Sequence, residues 1–169
     1  MITTFTRAGS PLSVIVLGLL MLGACAQEQH PLDRQLSQLR PDAVVLLAGL
    51  DWPAGTLLCP MTPYQSTLSA EGPVAKRVNG YLKRTQFTGD EDHWSLVVVK
   101  PAQGGDDGIE HLRFKRGTYD VVTEPARVAE AVKAQAAAFT LQDCVPVEQA
   151  RVLVARDRSQ RTFISFGTS

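Results

Sequence analysis

Three cysteines, three histidines and two tryptophans are all that this 169-residue chain offers of the residue types that most often build metal, redox or stacking sites. It has no surplus of either charge, because seventeen basic and seventeen acidic residues cancel. General nucleic-acid binding needs a clear positive excess to displace counterions from phosphates, so the balance argues against that partner class. No serine lies in a G-x-S-x-G elbow, and no acidic run has the alternating oxygen ligands of an EF-hand loop. Internal repeats, low-complexity tracts and domain linkers are missing too. What remains is ordinary globular composition, 44% apolar and 20% charged, in a length that suits one domain.

The first ten residues hold one arginine, Arg7, and no acid; an apolar run then extends from Leu12 to Ala24. A helix over that run is about 20 Å long, short of the roughly 30 Å hydrocarbon core, so it suits an export signal better than a permanent span. The run ends in Leu22-Gly23-Ala24-Cys25, an aliphatic residue and two small ones before a cysteine. This resembles the lipobox of bacterial lipoproteins. The resemblance covers the signal and the first mature residue. It implies that residues 1–24 are removed and that Cys25 carries a diacylglycerol thioether and often an acylated amino group. Two or three acyl chains hold a protein on a bilayer far more firmly than one. Ala26, in place of an aspartate at the second mature position, implies sorting to the outer membrane, facing the periplasm. The mature chain then carries a formal charge of −1, since Arg7 is the only charged residue ahead of Cys25.

With Cys25 committed to lipid, Cys59 and Cys144 remain. In an oxidising compartment they read as one disulfide closing a loop of about 85 residues; two separate buried thiols are the alternative. Residues 25–31 form the lipidated cysteine and a short tether, and residues 32–169 a single domain. Leu32, Leu36 and Leu39 recur at helical spacing until Pro41. Ala43 to Leu50 reads as a buried strand or a helix segment, and Thr56 to Cys59 as a strand broken off at Pro60. A helix starts at Pro73. Trp94 to Lys100 and Ile109 to Lys115 form a hairpin with a long tip, and Tyr119 to Val122 adds a short strand. Pro125 to Leu141 reads as the best helix, with Val128, Val132 and Phe139 on its inner side. Arg151 to Arg156 and Arg161 to Phe166 make a second hairpin. The expected class is α+β: a mainly antiparallel sheet packed by two or three helices.

Candidate sites are few. Asp90-Glu91-Asp92-His93 and Asp106-Asp107 with Glu110 and His111 contain metal-ligand types, but the expected hairpin sets the two groups about 23 Å apart. They read as solvated turns, and no metal or cofactor is expected. Arg156, Arg158 and Arg161 crowd one hairpin tip, and His111, Arg113 and Lys115 form a basic stripe; either suits an acidic partner, anionic lipid or lipopolysaccharide phosphate, or merely a charged surface. Ser66, Ser69 and Ser95 with His30, His93 and His111 make no arrangement recognisable as a triad, and His30 belongs to the tether. Trp52 and Trp94 read as packing residues. The expectation is a non-enzymatic envelope lipoprotein that binds a protein partner. It would be an accessory subunit of an assembly or secretion machine, or a periplasmic inhibitor or immunity protein. The alternative is a hydrolase of envelope polymers.

Overall fold

In the computed structural model of the chain, the described residues are 30–101, 108–117, 119–133, 138–156 and 159–169. They begin with helix α1 (Pro31–Ser37), strand β1 (Ala43–Leu46) and strand β2 (Leu57–Met61). Helix α2 (Pro73–Arg84) and the hairpin β3 (His93–Val99) and β4 (Ile109–Lys115) follow. Then come β5 (Asp120–Val121), α3 (Pro125–Lys133), β6 (Thr140–Leu141), β7 (Val145–Pro146) and a 3-10 turn at Val147–Gln149. The hairpin β8 (Arg151–Arg156) and β9 (Thr162–Thr168) completes the order.

The continuous apolar runs of β3 and β8 have one explanation. Each lies inside its sheet, and both faces of that sheet are covered. One sheet has the order β4-β3-β2-β7 and the other β1-β8-β9-β5, with β6 also on β9. Trp94, Leu96 and Val98 of β3 meet Val152 and Val154 of β8 in a central core between the sheets. The alternate residues Val97 and Val99 turn outward onto Ala75, Val78 and Leu82 of α2. Leu153 and Ala155 of β8 turn the opposite way onto Val128 of α3. The layers are therefore helix, sheet, sheet, helix, and a strand facing two cores needs no polar side. The pairing is antiparallel throughout except between β5 and β9. The α+β expectation, with three helices, is what the structure has.

Local signals place most elements. Gly72 takes φ +106°, open to glycine and costly for other residues, and Pro73 then supplies a preset first turn for α2. Leu32 and Leu36 bury α1 in the central core, and the Tyr119 hydroxyl donates to Asp33 at 2.7 Å to fix it there. Cys59 and Cys144 form the expected disulfide, with Cα atoms 4.1 Å apart. It lies beside the pairing of Leu58 with Val145, so it fastens the two-residue strand β7 to β2.

Four expectations need correction. The run Ala43 to Leu50 forms a strand only to Leu46, and that strand is an edge, paired with β8 alone and only half-buried. Pro60 lies within β2; β7 pairs only with Leu57 and Leu58, so the strand has one free side where the proline sits and its missing N–H costs no ladder bond there. Helix α3 is described from Pro125 to Lys133, residues 134–137 lie outside the described residues, and Thr140 and Leu141 do not continue it but pair with Thr168 and Gly167 as strand β6. Phe139 reaches the α3 core from this strand segment, because Gly167 has no side chain: a Cβ there would stand 2.2 Å from the Thr140 carbonyl oxygen and 2.7 Å from the Phe139 ring. Lastly, His30 is no tether residue. Its Nδ1 accepts the Leu32 N–H at 3.2 Å to cap α1, and its ring packs between Trp52 and Phe114.

Candidate functional site

The acidic and basic residues singled out in the sequence largely serve turns. Asp90 Oδ1 accepts the N–H groups of Asp92 and His93 at 2.9 and 3.0 Å and lies 2.9 Å from His93 Nδ1; Arg113 reaches its other oxygen from β4. The bond to His93, then the Asp92 N–H and the charges of His93 and Arg113, outweigh its desolvation and hold the Asp90 carboxyl below its ordinary range. Glu91 accepts the Tyr64 hydroxyl at 2.8 Å, and Arg116 donates to the Glu91 carbonyl and pairs with Asp120. Glu110 pairs with Lys100 at 2.9 Å. Asp106 and Asp107 lie outside the described residues. Among the described residues, no group of three or more His, Cys, Asp and Glu side chains could hold a metal ion.

The basic stripe divides in the same way. The His111 ring stands edge-on to Phe87 at 4.4 Å, with Nε2 buried and unpartnered. Burial, and secondarily the charge of Arg113, push its pKa below the ordinary value. Arg113 is engaged by Asp90, and Lys115 is exposed. At the other tip, Arg161 lies 4.0 Å from Asp120, Arg156 is exposed, and Arg158 is outside the described residues. Of the serines, Ser66 accepts the Gly89 N–H at 3.2 Å, Ser69 is exposed and Ser95 is buried. Trp94 is fully buried and stacks on Phe114 at 4.5 Å, as a packing residue should.

Trp52 has a different setting. It joins Leu46, Leu47, Gly49, Leu50, Ala54, Val147 and Glu148 around an open groove of about 260 Å³. β1 delivers Leu46, the irregular segment after it delivers Leu50 and Trp52, and the 3-10 turn delivers Val147 and Glu148. Leu46 is 47% exposed, one of two large apolar side chains so exposed among the described residues; the other is Tyr64. Glu148 is the charged side chain in the lining, and its Oε2 accepts the Gly55 N–H at 3.2 Å. The groove thus combines an apolar floor, an acidic wall and the end of an edge strand.

Of these lining residues the sequence singles out only Trp52, as a packing residue, and it does pack against the central core while bordering the groove. The lining residues come from segments about a hundred residues apart, and only the apolar run after Pro41, longer than the strand it contains, hinted at them. Cys25 lies outside the described residues, and no helix among those described is long and apolar enough to cross a membrane. The chain matches no family model, no curated protein and no solved structure.

Proposed function

We propose that this protein is a lipoprotein of the bacterial envelope, anchored through acyl chains on Cys25 to the periplasmic face of the outer membrane, and that it works by binding a protein partner rather than by catalysis. The observation that carries the binding role is the groove beside β1, with Leu46 left half in water. Large apolar side chains grouped at a concave surface mark interaction sites more often than chance exposure does. The anchor adds to the argument. The His30 ring stacks on the groove residue Trp52 at 6.0 Å, and five residues of chain, at their fullest extension, reach about 17 Å. A lipid on Cys25 therefore keeps the groove near the bilayer, where confinement raises the effective concentration of any partner in the same envelope. Accessory subunits of envelope machines and periplasmic inhibitors both use such a position.

Among the described residues, Asp90 and His93 are the nearest approach to an enzyme's carboxylate–imidazole pair. The same carboxylate is taken up by Arg113 and two backbone N–H groups, an arrangement suited to building a turn. The tests are direct. Fatty-acid labelling should mark the wild-type chain and not Cys25→Ser. Crosslinking in intact cells, then reconstitution with the purified partner, should give saturable binding, and assays on peptidoglycan and model esters should give no turnover. Turnover abolished by one substitution in protein that still folds would replace binding with catalysis.

A further inference from the structure

Sheet edges carry rows of unpaired N–H and C=O groups, and proteins guard them with charges, prolines, bulges or shortness. The described edges follow that rule with one exception. Strands β5, β6 and β7 have two residues each, and β4 carries Glu110, His111, Arg113 and Lys115. β1 is Ala-Val-Val-Leu, without charge or proline, in unbroken register with β8. The Leu47 N–H donates to the Ala150 carbonyl at 2.9 Å. Bonded pairs alternate along an antiparallel ladder, so Ala43 and Val45 also face β8, and the N–H and C=O groups of Val44 and Leu46 point away from the sheet.

We infer that this edge takes up an extended segment of the partner as an added antiparallel or parallel strand, with one apolar side chain in the groove and a basic residue against Glu148. The inference rests on the partner-binding role proposed above and names the chemistry of that partner. Three features select such an occupant. The groove, at about 260 Å³, is smaller than the cavities that enclose drug-sized ligands but takes a large side chain. It opens at the end of the strand whose outward backbone groups have no partner among the described residues, and backbone pairing plus a side-chain pocket is how added strands are recognised. The charged side chain in its lining is Glu148 and exposed Asp51 adjoins Trp52 on its rim, while exposed Arg40 and Asp42 offset each other at the far end of β1. A second copy of this chain would set that rim against itself.

Selection from a random peptide library about nine residues long, typical of a long strand, against the full chain purified as cells make it, supplies a probe. The expected winners alternate apolar and Lys or Arg residues and slow hydrogen exchange at Val44 and Leu46. Leu46→Pro removes one outward N–H and a lining side chain of the groove without touching the β8 ladder and should weaken them at least about tenfold, roughly the worth of one or two net hydrogen bonds. Leu46→Lys, which keeps the backbone and adds the missing guard, serves if the proline variant misfolds, and Glu148→Lys should favour acidic sequences instead. Winners that protect other residues, or bind equally after backbone N-methylation, overturn the inference. So does self-association through β1, or crosslinking of Leu46 to phospholipid. If cellular crosslinks capture a saturable partner elsewhere on the surface while β1 stays unprotected, the binding role stands and the strand mode falls; if no surface captures one, both fall.

Discussion

Replacing both Cys59 and Cys144 by alanine removes a bridge whose ends are 85 residues apart in sequence. Loop-closure entropy for a loop of that size gives about 4.6 kcal/mol of destabilisation, acting on the unfolded chain. At about 2.1 cal/mol/K per residue, a domain of roughly 140 residues has an unfolding entropy near 0.29 kcal/mol/K, so the melting midpoint should fall by about 16 °C. Calorimetry of the oxidised wild type and the double variant measures this. Kinetics show when the loop closes: slower refolding of the variant means that the two segments already meet in the transition state, faster unfolding that they meet after it. A fall under about 3 °C would refute the entropic reasoning. Such a small fall would leave the bridge as no more than a local staple for a strand that has only two paired residues of its own.

Three further outcomes follow from particular contacts. Gly167→Ala should cost about 2 kcal/mol in urea melts, with exchange protection lost at Thr140 and Leu141, because a Cβ cannot share space with the Thr140 carbonyl; a neutral result would mean β6 is not held there. Tyr119→Phe deletes the hydroxyl that donates to Asp33 and should lose about 1 to 2 kcal/mol, read by the same melts, with α1 exchanging fastest. The pKa of His111 lies below its ordinary 6.5 in the fold, so the unfolded chain takes up the proton first; the stability contributed above 6.5 is lost as the pH falls through the folded value. His111→Leu should flatten that acid-side decline in thermal midpoint between neutral pH and about pH 5, and an unchanged slope would assign the decline to other groups.

Much of the fold was legible because local patterns and long-range packing agree. In α2 a proline start, an apolar stripe at Val78 and Leu82 and outward cations tell one story, and β3 shows its two-sided burial as an unbroken apolar run. The disulfide followed from the parity of the two remaining cysteines and the oxidising compartment that the lipobox resemblance implies. β1 was misread because an apolar run looks the same at a sheet's edge as at its centre. The helix was read on to Leu141 because that stretch is rich in alanine, a strong helix former, while the pull of Thr140 and Leu141 into a strand depends on Gly167, far along the chain. The groove was invisible for a related reason: Leu46, Trp52 and Val147 become a surface only when the 3-10 turn arrives beside β1.

The central claim, a lipid-anchored domain that binds through the end of β1, is tested most directly by photocrosslinking in intact cells. A benzophenone amino acid replaces Leu46 in one strain and Lys115, on the guarded edge β4, in another. The account requires Leu46 to capture one protein, the capture to be lost with Cys25→Ser, and Lys115 to capture none. Equal capture from both positions, or capture from Lys115 alone, would contradict it.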